Sequence, residues 1–185
     1  AQQFQLIGEA EELAESIEVE GAITKFQQAL ELDNSLDINP KSKAQKIAAS
    51  ALVEKGEKLV DEGEIEEAIS DYTKAQTLDP LVEISPYSWY ALCWQGSLLG
   101  HASEILDACE KAVALAPSNG YFLDSRGVAK ALTGDFEGAI KDFQAFINWN
   151  VSDKARTQRQ RWVDALKSGE DPFTKEELER LLFNE

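Results

Sequence analysis

Histidine and cysteine are scarce in this sequence, which contains one histidine and two cysteines among its 185 residues. A structural zinc site takes four nitrogen or sulfur ligands, and small disulfide scaffolds use more cysteines than this chain has. The sequence also lacks a calcium-binding loop of the D-x-D-x-D-G type and a glycine-rich phosphate loop. We therefore expect no metal site and no cofactor.

Positive charge is also in short supply, since 34 acidic residues outnumber 18 basic ones and the formal net charge is −16. So acidic a chain argues against non-specific binding to nucleic acid or to anionic membranes. No apolar run approaches the roughly 20 residues that cross a bilayer, and no secretory signal is visible at the start. We expect no nucleic-acid partner, no membrane partner and a cytoplasmic location.

Methionine is absent altogether, and the first residue is alanine. We therefore expect this chain to be part of a longer protein. Hydrophobic residues make up 43% of the sequence and charged residues 28%, which is typical of a globular domain with a sizeable core.

One short pattern recurs four times, most clearly in GEIEEAISDYTKAQTLDP and GDFEGAIKDFQAFINWN. Each copy places small or apolar residues at positions i, i+4 and i+7, which lie on one face of an α-helix. These residues are Ala22, Phe26 and Ala29; Ala68, Tyr72 and Ala75; Ile105, Cys109 and Ala112; and Ala139, Phe143 and Phe146. The third copy is the least regular, because it lacks the alanine and the aromatic residue of the others.

A second apolar-periodic segment precedes each copy. Near its middle stands one small residue, which is Ala10, Gly56, Cys93 or Gly127. A glycine inside a helix costs about 1 kcal/mol relative to alanine, so its recurrence predicts a close crossing with another helix. The glycines at 63, 100 and 134 stand where the first helix of a pair should end. Each unit is therefore predicted to be two helices joined by a short turn, in an all-α fold.

These helix pairs, which recur at about 34 residues with Pro80 and Pro117 at the ends of two copies, resemble the tetratricopeptide repeat. The resemblance implies a right-handed superhelical α-solenoid of four helix-turn-helix repeats, at about 3–36, 49–82, 86–119 and 120–153. Residues 35–48 form a loop and helix extension, in which Pro40 breaks any helix and a lengthened helix begins near Lys43. Segments such as QRQRWVDAL also resemble C-terminal tails of bacterial multidomain proteins, particularly cyanobacterial ones.

Residues 154–185 depart from the repeat and are predicted to form capping helices. Thr174 and Glu177 are spaced as a capping box, and Phe173 and Leu178 as a hydrophobic staple. A basic cluster is expected to supply the polar outer face that a terminal repeat needs. It consists of Lys154, Arg156, Arg159 and Arg161. The alternative is a nucleic-acid patch, but pairing with the acidic repeats explains the cluster better on so acidic a chain.

The first helices of such repeats line a concave groove. The residues predicted to line it here are Tyr87, Tyr90, Trp94, Tyr121, Asp124, Val53 and Glu57. This groove would be aromatic and mildly acidic, and it lacks a basic set that would hold a carboxylate. It favours an amphipathic helix or an apolar or basic peptide over an acidic tail. The alternative is that the rings at 87, 90 and 94 pack on the neighbouring repeat or on the 35–48 extension.

Two classes of function remain after this reading. The favoured one is a protein–protein interaction module that binds a peptide or helix of a partner protein. The other is a structural module that self-associates as a weak homo-oligomer or regulates missing N-terminal domains in cis.

Catalysis would require the single histidine to work with a cysteine. His101 follows Gly100 in the predicted turn of the third pair, whereas Cys93 and Cys109 face the contact between its two helices. Buried cysteines in apolar surroundings are usually inert, so we expect a protein that is not an enzyme. The two cysteines face each other across the hairpin, which leaves open a disulfide under oxidising conditions.

Overall fold

The computed structural model describes residues 2–149 and 151–183, and over these ranges it consists of α-helices joined by turns and loops, with no strand. The helices are α1 Gln2–Glu15, α2 Val19–Leu32, α3 Pro40–Glu62, α4 Ile65–Leu78, α5 Pro86–Leu98, α6 Ala102–Leu115, α7 Gly120–Leu132, α8 Phe136–Ile147, α9 Asp153–Lys167 and α10 Lys175–Leu182. The prediction of an all-α fold of helix pairs is confirmed.

The chain forms two compact units. The first unit comprises residues 1–59 and 66–84, and the second comprises residues 60–65 and 85–185. Helices α1 and α2 and most of α3 and α4 therefore belong to the first unit, and helices α5 to α10 belong to the second.

One core cluster of the first unit is built mainly from alanines around the ring of Phe26. Ala10, Ala14, Ala22 and Ala44 are fully buried together with Phe26. Helix α3 begins at Pro40, three residues before the predicted start at Lys43. Proline is favoured at the first position of a helix, where its missing N–H has no partner to lose. The prediction that Pro40 excludes a helix there is therefore wrong: it starts one.

In three of the helix pairs, the small residue of the first helix lies against a residue sixteen positions later. A Cβ atom added to Gly56 would lie 2.5 Å from Tyr72 Cε1, and one added to Gly127 would lie 2.7 Å from Phe143 Cε1. Cys93 and Cys109, also sixteen apart, occupy the same places in α5 and α6 and are joined by a disulfide bond. The sequence alone did not decide whether these two cysteines form a disulfide, and in the structure they do.

Three of the four turns within the helix pairs use glycine with positive φ, at Gly63, Gly100 and Gly134. The turn between α1 and α2 instead places Ile17 at φ 67°. A left-handed conformation costs a non-glycine residue about 1–2 kcal/mol, so the first pair carries local strain that the other pairs avoid.

The second unit closes on an aromatic cluster that joins the last helix pair to the capping helices. The ring centroids of Phe143 and Trp162 are 5.3 Å apart, and those of Trp162 and Phe173 are 4.8 Å apart. Thr174 caps α10 by accepting a hydrogen bond from the Glu177 N–H at 3.2 Å. Half of the predicted capping box is thus formed, because the Glu177 carboxylate is directed to α9 instead.

Candidate interaction surface

The start of α5 determines which side chains share its outer face. Ser85 accepts a hydrogen bond from the Ser88 N–H at 3.0 Å and Pro86 takes the first helical position, so the helix register is fixed here. Positions 87, 90 and 94 then fall at i, i+3 and i+7, on one face. The structure brings this face of α5 beside α7 of the next pair.

Two large rings are exposed here, one on α5 and one on α7. Tyr87 is 68% exposed and makes an edge contact with Phe122, at 5.4 Å between ring centroids. Tyr121 is 54% exposed and makes an edge contact with Trp149, at 5.0 Å. Each exposed ring is therefore supported on one side by another aromatic ring and is open to solvent on the other.

Tyr90 lies deeper on the same face. Its ring stacks on Phe122 with 5.1 Å between centroids. Burial raises the pKa of its phenol, the nearby Asp124 carboxylate raises it further, and a hydrogen bond with Ser125 opposes the shift. The rings at 87 and 90 thus pack on the next repeat, as in the alternative drawn from the sequence, while Tyr87 also remains exposed.

Asp124 does not face solvent. Its side chain accepts hydrogen bonds from Arg159 Nε at 3.0 Å and Arg159 Nη2 at 2.6 Å, and the residue is only 3% exposed. Burial raises the pKa of the Asp124 carboxyl, and the guanidinium of Arg159 opposes that shift. Asp124 therefore holds α9 on α7, and the prediction that it lines an open, acidic groove is wrong.

Arg159 also does not lie on the outer face of the cap, where it was predicted. Its guanidinium lies over the rings of Trp162, at 4.6 Å, and Phe146, at 5.0 Å from the centroid. Such stacking suits a planar, weakly hydrated cation that is taken out of water. Arg156 also turns inward and donates to the carbonyl of Ile147. Internal pairing with the repeats, expected for the basic cluster as a whole, is thus observed for Arg159.

Trp94 lies where this face meets the capping helices. It packs against the core of the second unit and lines an open cleft of about 830 Å³. Other residues that line this cleft are Lys154, Gln158, Arg161, Arg180 and Leu181. Asp153 also lines the cleft, but cations outnumber it there, although the chain as a whole is acidic. The basic residues between 154 and 161 indicated this cleft in the sequence, but they were predicted to form the outer face of the cap and to pair with the acidic repeats.

Val53 and Glu57, the remaining predicted groove residues, lie on α3 in the first unit. Val53 is only 7% exposed and belongs to the buried core, so its predicted place in a groove is wrong, whereas Glu57 is exposed. The predicted set is thus divided between the two units. The surface built from α5, α7 and α9 keeps Tyr87, Tyr90, Tyr121 and Trp94.

Within the ranges 2–149 and 151–183, no three potential metal-ligating side chains lie together. In the same part of the chain, no helix combines the length and apolar character needed to cross a membrane. His101 precedes α6 without making a side-chain cap, and both cysteines are taken up by the disulfide.

The repeats and their arrangement have counterparts among known proteins. Residues 49–80 match the model of the tetratricopeptide repeat. The TPR domain of P58(IPK) superposes with a TM-score of 0.54 at 19% identity, over 91% of this chain and 47% of that one. The first TPR domain of the human RPAP3 protein superposes with a TM-score of 0.51 at 28% identity, over 68% of this chain and 97% of that one.

This chain thus spans about half the length of the P58(IPK) chain, and no curated protein matches it in sequence. At 19% identity, the similarity to P58(IPK) supports a shared fold and does not identify a binding partner. The resemblance noted from the repeat pattern is confirmed: the chain contains a tetratricopeptide repeat and shares the all-α helical-repeat fold of tetratricopeptide-repeat domains.

Proposed function

We propose that the chain is a protein–protein interaction module whose second unit binds a helix of a partner protein on the face formed by α5, α7 and α9. The tetratricopeptide fold supports the general role. The observation that carries the finer proposal is the pair of exposed rings at Tyr87 and Tyr121, each supported by a further aromatic ring. Tyrosine supplies large contact area with few rotatable bonds, which makes such rings effective anchors.

The expected ligand is an amphipathic helix. Its apolar side chains would contact the tyrosines at successive turns, in the helix-in-groove mode. The charge of this face differs from the acidic groove expected from the sequence, since Asp124 is neutralised by Arg159 and several cations line the cleft beside Trp94. A helix with acidic flanks therefore fits this face better than the basic peptide expected from the sequence.

The test is a selection of displayed twelve-residue helical peptides on the intact chain, followed by measurement of binding to purified variants. Tyr87→Ala/Tyr121→Ala should weaken the selected peptides about ten-fold or more, because both rings are hot-spot candidates. Phe4→Ala/Leu81→Ala is the matched control, since it removes two exposed apolar side chains from the first unit and should leave binding unchanged. Equal binding by the tyrosine variant would contradict the proposal.

Self-association is the second candidate, because the same exposed tyrosines could be buried by another copy of the chain. Light scattering after size exclusion distinguishes the two. A monomer at micromolar concentration leaves the face open to a partner, whereas a dimer that Tyr87→Ala/Tyr121→Ala dissociates would assign the face to assembly. In a longer multidomain protein, either role would serve the neighbouring domains.

The disulfide argues against the predicted cytoplasmic location. Disulfides persist mainly in oxidising compartments and are rare in the reducing cytoplasm. The bond between Cys93 and Cys109 therefore favours an oxidising environment, and alkylation of the chain isolated from its native cells would show whether the two thiols are free there.

A further inference from the structure

The C-terminal helix α10 lies against α5 and contributes an apolar face to the second unit. Leu178, Leu181 and Leu182 pack on the core cluster that contains Leu98 and Trp162. Their spacing of i, i+3 and i+4 is the stripe that an amphipathic helix presents to a groove. Leu181 also lines the cleft beside Trp94. One short helix of the chain therefore already covers part of the face proposed to bind partners.

A single carboxylate fixes the position of α10 on α9. Glu177 Oε1 accepts a hydrogen bond from Trp162 Nε1 at 3.1 Å and another from Gln158 Nε2 at 2.9 Å. Its second oxygen accepts from Arg180 at 2.5 Å. The indole N–H of Trp162 is a donor only, so it requires an acceptor at this point. The receiving surface thus recognises an acidic side chain as well as the leucines.

The contacts of α10 are also few enough to be exchanged. None of its residues is fully buried, and its three leucines stay partly exposed. It has eight residues, far fewer than the roughly 12–15 that make an isolated helix stable in water. The link from α9 turns at Gly169, which has φ 78°.

We propose that the surface of α5 and α9 beneath α10 is a receptor site for an acidic amphipathic helix, and that α10 is its cis occupant. The trans ligand carries the pattern of Glu177-Leu178-Glu179-Arg180-Leu181-Leu182: one acidic residue, then apolar residues at the first, fourth and fifth positions after it. Acidic flanks fit the cations at Lys154 and Arg161 in the adjoining cleft. This inference rests on the proposed function and names the ligand class for it.

Cis occupancy has a measurable consequence. A tethered helix competes at an effective concentration in the millimolar range. The apparent affinity for a trans ligand is its intrinsic affinity multiplied by the fraction of molecules in which the site is open. Undocking α10 should therefore strengthen the binding of a trans ligand at this surface.

The probe is a fluorescein-labelled peptide of residues 172–183, added to the full chain and followed by anisotropy. Leu178→Asp/Leu181→Asp places charge on the docked face of α10 and should raise peptide affinity about ten-fold or more over the unchanged chain. Lys175→Ala/Glu179→Ala changes the solvent-facing side of α10 and is the matched control, expected to bind like the unchanged chain. A peptide carrying Glu177→Gln should lose most of the gain, because it lacks the charged acceptor for Trp162.

Glu177→Ala provides a second undocked chain that adds no charge, in case the double variant is poorly folded by circular dichroism. No binding of the peptide to a folded, undocked chain would overturn the inference and make α10 a structural cap only. That result leaves the proposed function standing if the displayed peptides still depend on Tyr87 and Tyr121. Conversely, the 172–183 peptide could bind tightly while the displayed peptides bind equally well to the tyrosine variant. That result would contradict the proposed function and support the α10 site.

Discussion

The helix pairs α5–α6 and α7–α8 solve the same packing problem with different chemistry. In α7–α8 the close approach of the helices is filled by the ring of Phe143 over Gly127. In α5–α6 the corresponding positions are Cys93 and Cys109, and a covalent bond crosses the contact. One pair is held by a buried aromatic side chain and the other by a disulfide.

The neighbouring positions differ in the same way. The residues just before Cys93 and Cys109 are apolar, namely the buried Leu92 and Ala108. The residues just before Gly127 and Phe143 are charged, namely Arg126 and Asp142. Arg126 and Asp142 form a pair with Nη2 and Oδ1 2.7 Å apart. The repeat therefore fixes which positions meet across a hairpin, while the chemistry at those positions is free to vary between apolar, ionic and covalent contacts.

The largest effect is expected from Phe143→Ala. Phe143 is fully buried and also contacts Trp162, so its loss should lower the free energy of unfolding by about 3–5 kcal/mol. Urea denaturation followed by circular dichroism measures this change. Phe183→Ala is the control, because that ring is exposed and its removal should change the free energy by less than about 0.5 kcal/mol. Similar small losses in both variants would mean that the ring does not hold the hairpin.

Reduction of the disulfide should have the next largest effect. A bond that closes a loop of about 15 residues is worth about 3 kcal/mol, mainly through the unfolded state. Denaturation with and without reductant should therefore differ by roughly this amount in the unchanged chain.

The comparison of the two hairpins also predicts a rescue. Cys93→Gly/Cys109→Phe copies the α7–α8 solution into α5–α6, and it should be insensitive to reductant while recovering part of the lost stability. Cys93→Ala/Cys109→Ala is the matched control and should stay destabilised, because it supplies neither a bond nor a ring. A rescue variant no more stable than the alanine control would show that the two hairpins are not interchangeable.

A smaller effect is expected from Asp142→Ala. The Asp142 carboxylate accepts from Arg126 at 2.8 and 2.7 Å and from Lys130 at 3.0 Å, and its loss should cost about 2 kcal/mol. Arg126 retains Glu110, at 2.7 Å, which limits the cost. Arg126→Leu/Asp142→Ala copies the apolar pair of α5–α6 and should recover to within about 1 kcal/mol of the unchanged chain. A double variant worse than the single one would contradict the exchange.

Local pattern was enough to predict the helix pairs. Gly127 and Phe143 stand on helix faces set by residues within two turns, and Gly63, Gly100 and Gly134 do take the positive φ that ends a helix. Such signals depend on the nearest residues, which is why the all-α repeat fold could be read from the sequence.

The binding face depended on residues far apart in sequence and was predicted only in part. Asp124 was assigned to solvent because its partner Arg159 lies 35 residues later, on a helix that was expected to turn its cations outward. Val53 was predicted to line the groove from its position in the repeat pattern, but it is buried. The helix α10 and its cap were foreseen at Thr174, while its docking through Glu177 was not, because nothing local indicates where a short amphipathic helix will pack.

The smallest expected effect is the late titration of Tyr90, which tests whether α5 and α7 meet as described. In an unfolded chain the phenol has a pKa of about 10, and burial raises the pKa of Tyr90 in the folded state. A raised folded pKa means that the phenol contributes its full stability below pH 10 and loses it as the pH rises through the folded value. Phenolate absorbance against pH should therefore lose a component that titrates above pH 10 in Tyr90→Phe, and Asp124→Asn should move that component to lower pH by removing the nearby carboxylate. If Tyr90→Phe instead loses a component that titrates at or below pH 10, Tyr90 is exposed to water. The aromatic faces of α5 and α7 would then not be in contact.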